Sequence, residues 1–93
     1  MKVIYTLLQE RKFQEGIQQL EVLSKRNNLQ AQLLISKILF TGDLIPQDFE
    51  NSYFWASSAL LGGLAKSETI LKKLDNYLTE KQINEIKDKL RIF

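Results

Sequence analysis

The sequence predicts an all-α fold, a short right-handed α-solenoid of about six helices arranged as three antiparallel hairpins. Three observations carry that expectation. Nearly every segment has apolar residues at helical spacing, and none has the alternation of a strand. Residues that stop helices fall at short intervals, at Asn27–Asn28, Gly42 and Gly62–Gly63. The chain also resembles itself at a shift of 36 residues, a length that suits a stacked helix–turn–helix unit.

Taken in order, Val3, Ile4, Leu7 and Leu8 form a short first stripe. Phe13, Ile17, Leu20 and Leu23 form the second, which ends at Asn27 and Asn28 because asparagine tolerates the left-handed backbone. A third helix is expected from Leu29 to Phe40, with Ala31, Leu34, Ile35, Ile38 and Leu39 inward, and Gly42 ends it. Ile45 precedes Pro46 and is therefore biased to extended backbone. Asp48 is placed to cap a fourth helix over about Phe49–Leu61, in which Ser52, Ala56 and Ala59 form a small-residue face suited to close helix approach. A fifth helix is expected over about Ala65–Asn76, with Ile70, Leu71 and Leu74 inward. Thr79 and Gln82 have the spacing of a capping box, and Ile83, Ile86 and Leu90 stripe the last helix.

The 36-residue shift sets Asn27 on Gly63, Ala31 on Ser67, Leu34 on Ile70, Ile35 on Leu71 and Ile38 on Leu74. It also sets Phe13 on Phe49, Ile17 on Tyr53 and Leu23 on Ala59, keeping apolar or small character at each pair. The single domain (1–93) then divides into an N-terminal hairpin (1–28), a best repeat (29–63) and a C-terminal capping hairpin (64–93).

Composition narrows the chemistry. Ninety-three residues bury roughly 60–65% of their unfolded surface, a thin core. The chain has no cysteine and no histidine. It therefore lacks disulfides, thiolate zinc sites and the commonest proton shuttle and metal ligand, and no enzyme is expected. No cofactor or metal is expected either. No apolar run is long enough for a membrane span and no cleavable leader is legible, so cytoplasmic residence is expected.

The net charge of +2 is unevenly spread. Residues 1–37 carry six basic and three acidic groups, residues 38–65 carry only Asp43, Asp48 and Glu50, and residues 66–93 carry seven basic and five acidic. Because the C-terminal lysines alternate with acids at helical spacing, they read as a solvated face, not a nucleic-acid patch.

The stretch Ala31–Ser67 resembles the Sel-one-like repeat, a relative of the tetratricopeptide repeat. The residues in register are Ala31, Ile35, Leu39, Gly42, "IPQDF" over 45–49, Ser52, Trp55, Ala59 and Gly63. "IPQDF" followed by Trp55 is the specific part. Departures are Ser36 for the glycine of the first helix, Leu44 for the second glycine of the turn, and Leu60 for the second of paired alanines. The resemblance implies that Trp55 fills the wedge between hairpins. It also implies that the first helix of each pair lines a concave surface. Tyr5, Leu33, Lys37, Phe40, Lys66 and Lys73 are the candidates to face that surface, and Asp43, Asp48 and Glu50 form a separate acidic candidate.

Proteins of this resemblance are mostly adaptors. The expected function is a non-catalytic module that binds one partner protein, in the sharpest form a bacterial immunity protein that masks a toxin. The alternative is a structural homo-oligomer sealed by Phe40, Phe54 and Phe93.

Overall fold

A computed structural model describes Ile4 and residues 13–91. Its helices are α1 (Phe13–Lys25), α2 (Leu29–Thr41), α3 (Phe49–Leu61), α4 (Glu68–Leu74) and α5 (Glu80–Arg91). A 3-10 turn over Ala65–Ser67 leads into α4. No strand occurs among the described residues. Among the described residues five of the six expected helices are seen. The first expected stripe lies outside the described residues except for Ile4, which is buried. The expected helix over 65–76 is shorter, because its first three residues wind as the 3-10 turn.

The helices end where backbone chemistry dictates. Asn27 adopts φ 64. Asn28 N–H donates to the Leu23 carbonyl at 3.0 Å and Asn27 N–H to that of Ser24 at 3.2 Å, the paired bonds of a Schellman stop. The same pair recurs 36 residues on. Leu64 N–H donates to Ala59 and Gly63 N–H to Leu60, both at 3.0 Å, with Gly63 at φ 111. Gly42, at φ 73, closes α2 by a single bond to Ile38.

The turn after Gly42 folds back on the helix it terminates. Asp48 N–H donates to the Leu39 carbonyl at 2.9 Å, and Gln47 Nε2 donates to that of Phe40 at 2.8 Å. The last carbonyls of α2, which have no partner within the helix, are thereby satisfied. Helix starts are equally well provided. Asn28 and Asp48 accept from Ala31 and Asn51 N–H, each at 3.0 Å. Thr79 and Gln82 form the reciprocal capping box.

Two apolar clusters make the core. One joins Ile4, Ile17, Leu20, Ala31, Ile35, Ile38 and Leu39. The other joins Leu33, Tyr53, Ala56, Ile70, Leu71, Leu74 and Ile86. Helix α2 feeds both. Ile35 and Ile38 face the first cluster, while Leu33 faces the second. The most extensive helix pair is α2 with α3. Fully buried Ser36 and Ser52 lie where those helices meet. Small side chains there permit the close approach, and serine adds hydrogen bonds that glycine would lack.

Candidate functional site

Two helices build a groove between them. On α2, Leu33, Lys37, Phe40 and Thr41 recur at the spacing of one helix face. Lys66 from the 3-10 turn and Thr69, Ile70 and Lys73 from α4 supply the opposite wall. The groove's volume is about 470 Å3. Leu33 and Ile70 are buried and Phe40 is half-buried, so the floor is apolar. Lys37, Lys66 and Lys73 are exposed and edge the trough, with Thr41 and Thr69 also exposed.

Leu33, Lys37, Phe40, Lys66 and Lys73, the candidates to face one concave surface, thus line one trough. Tyr5 lies outside the described residues. Thr41, Thr69 and Ile70 also line the groove and were not singled out. The signal was available, since Thr69 falls on Leu33 under the 36-residue shift and Ile70 is one helical turn from Lys66.

Phe40 has a second set of neighbours that explains its size. Its ring lies 5.7 Å from both Phe49 and Tyr77, and the last two stack at 4.6 Å. Tyr77 is 56% exposed, so this aromatic cluster is open to solvent at one end of its three-ring contact. Aromatic groups in such contacts give a partner large area at small entropic cost.

The electrostatics of the groove are one-sided. Among the described residues no acidic side chain lines it. Among the described residues, Lys37, Lys66 and Lys73 have neither an ion pair nor a hydrogen-bonded side-chain partner. Asp75, nearest in sequence to Lys73, instead bears on Tyr53. Burial first, and the Asp75 charge second, push the Tyr53 hydroxyl above its ordinary pKa.

The acidic candidates do not converge. Asp48 is the cap of α3, its second oxygen taking Asn51 Nδ2 at 2.7 Å. Glu50 accepts from Gln82 Nε2 at 2.9 Å, tying the start of α3 to the start of α5. Asp43 is exposed in the turn. No group of three or more His, Cys, Asp or Glu residues able to hold a metal occurs among the described residues.

A larger hollow, about 890 Å3, is lined by Lys25, Leu29, Gln32, Phe54, Trp55 and Leu61 among others. Trp55 is half-buried against the first cluster and Phe54 against the second, their rings edge to face at 5.1 Å. Gln32 is 1% exposed; its Nε2 donates to Ser24 at 2.9 Å and its Oε1 has no partner. That oxygen is sealed from solvent, so it offers nothing to a molecule in the hollow.

Comparison with known proteins adds no relative: no family, curated protein or solved structure matches the chain. No helix among the described residues is long and apolar enough to cross a membrane.

Proposed function

We propose that the chain is a non-catalytic binding module that holds one partner protein in the α2–α4 groove. One observation carries the reading: Leu33, Lys37 and Phe40 from α2 and Lys66 and Lys73 from the opposite wall line one trough. An apolar floor with a polar rim is the usual anatomy of a protein-binding patch.

The finer architecture belongs to the same proposal. Helices α2 and α4 are the first members of successive hairpins, and α3 and α5 the second, in a solenoid of the Sel-one-like kind. The recurrence of one Schellman stop after 36 residues supports this, as does the placement of Lys37 and Lys73 one repeat apart on one groove. In this reading the cytoplasmic, toxin-masking role is the sharpest form of single-partner binding. It accords with a scaffold that has no histidine or cysteine.

Binding of a partner to the wild-type chain and its loss in a groove-blocked variant, Thr69→Trp, tests the module. Thr69 is exposed, so the change fills the trough without disturbing the core. A partner that binds both proteins equally removes the groove from the reading. Stoichiometric silencing of that partner's activity separates masking from scaffolding.

A second reading rests on Leu61, which is 74% exposed at the end of α3. Such a residue suits an apolar seal between copies, the homo-oligomeric alternative. Light scattering over a concentration series, with Leu61→Lys as control, decides it. A monomer at all concentrations excludes it.

A further inference from the structure

We infer that the groove's occupant is an acidic segment of the partner protein, carrying at least one large apolar side chain between or beside its carboxylates. The inference rests on the proposed binding function and adds the chemistry of what is bound. Three observations lead to it.

The first is charge without compensation. Lys37 on one wall and Lys66 and Lys73 on the other are exposed, line one trough, and have no acidic partner among the described residues. The acidic groups Asp48 and Glu50, by contrast, are held in structural hydrogen bonds, to Asn51 and to Gln82. Like charges gathered across a narrow groove repel one another, and an anionic guest relieves that repulsion.

The second is the floor. Leu33, Ile70 and the half-buried Phe40 present apolar surface below the lysines. A simple anion leaves this surface wet. A peptide that adds an apolar anchor covers it and gains from burying that side chain.

The third is spacing. Lys66, in the 3-10 turn, and Lys73, in α4, stand seven residues apart on one wall, a helical rise of roughly 10 Å. Lys37 faces them from α2. Two carboxylates about 10 Å apart on the guest therefore meet cations at both ends of the trough. The Thr69 hydroxyl is on hand for a backbone hydrogen bond, and that of Thr41, which donates to the Ile38 carbonyl at 3.2 Å, can still accept one. Nucleic acid supplies phosphates at every step but no aliphatic anchor for Leu33 and Ile70, which is why a polypeptide is the better fit.

The test uses the whole chain, immobilised, against a display library of random twelve-residue peptides. The expected result is enrichment of peptides with two or more Asp or Glu and one large apolar residue. A labelled peptide from that pool is then titrated by fluorescence anisotropy. Each of Lys37→Glu, Lys66→Glu and Lys73→Glu is expected to weaken it about tenfold, and binding is expected to fall steeply with salt. Thr69→Trp is expected to abolish it. Circular dichroism confirms that each variant folds, which the exposure of these side chains favours.

The outcomes separate the two claims. Peptides blocked by Thr69→Trp but indifferent to all three lysine reversals keep the groove and overturn the acidic guest. Enriched peptides that are neutral or basic do the same. Peptides indifferent to Thr69→Trp as well overturn both. Displacement by a single-stranded oligonucleotide more readily than by the unlabelled peptide overturns the choice of a polypeptide. Lysine-dependent self-association of the chain replaces the partner segment with a second copy.

Discussion

Ser36 and Ser52 each donate a hydrogen bond to the other's backbone carbonyl, both at 2.7 Å, with their hydroxyl oxygens 3.1 Å apart. Both residues are fully buried at the contact of α2 with α3. The carbonyls they reach also belong to helix ladders, so deleting one hydroxyl leaves no backbone group unpaired. Ser36→Ala and Ser52→Ala are each expected to cost about 1 kcal/mol. Ser36→Val forces the helices apart and is expected to cost more, about 1–3 kcal/mol. Urea melts of the three variants check the order; a valine variant as stable as the alanine one contradicts the close approach.

The two left-handed stops carry opposite expectations. At Gly42 a Cβ would stand 2.9 Å from Gln47 Cβ, on a backbone with φ +73. Gly42→Ala is expected to lose about 1–2 kcal/mol or more. Asn27 already bears a side chain at φ 64. Asn27→Gly relieves that strain and is expected to gain up to about 1 kcal/mol. Thermal melts that move the same way for both changes refute the assignment.

Ser67 occupies the cap position of α4 yet caps nothing. The preceding 3-10 turn holds it at φ −64, ψ −20, already helical, so its hydroxyl is misplaced for the role. That hydroxyl is fully buried and has no partner. Ser67→Ala is expected to stabilise the fold by about 1 kcal/mol. Asp48→Ala, which deletes a working cap, is expected to destabilise it by about 0.5–2 kcal/mol. Chemical denaturation of both proteins checks the contrast, and a loss at position 67 counts against it.

Tyr53 makes stability depend on alkaline pH. Its hydroxyl is raised above the ordinary tyrosine pKa by burial, with the Asp75 charge adding to it. Below the unfolded value, about 10, both states hold the proton and stability is unaffected. As pH rises past that value the unfolded chain releases its proton first, so stability falls until the folded hydroxyl also ionises. Tyr53→Phe removes this contribution and is expected to flatten the decline measured between pH 9 and 12, roughly. A decline of unchanged slope assigns it elsewhere.

Much of the fold was legible in advance because its signals are local. Asn27, Gly42 and Gly63 mark helix ends through their own backbone freedom, and the Thr79–Gln82 box needs only four residues. The bounds of α3 match those expected, since Asp48 and the paired glycines fix them from either side. The short α4 was not legible. A 3-10 turn and an α-helix share the same apolar spacing over three residues, and only packing distinguishes them. In the candidate site, a single inward stripe of Ala31, Leu34, Ile35, Ile38 and Leu39 leaves Leu33 without a place in the core. Helix α2 has two, one for each cluster, and Leu33 belongs to the second. The three-ring contact of Phe40, Phe49 and Tyr77 joins residues as much as 37 positions apart, beyond any local pattern.

Helix α2 lends side chains to both apolar clusters and one wall to the groove. Both clusters therefore lean on α2, and whatever clasps that helix bears on each of them. A guest present at a hundredfold its dissociation constant adds about 2.7 kcal/mol to the folded state. In so small a chain that increment is a substantial fraction of the total, so under the proposed function occupancy would also set the lifetime of the fold.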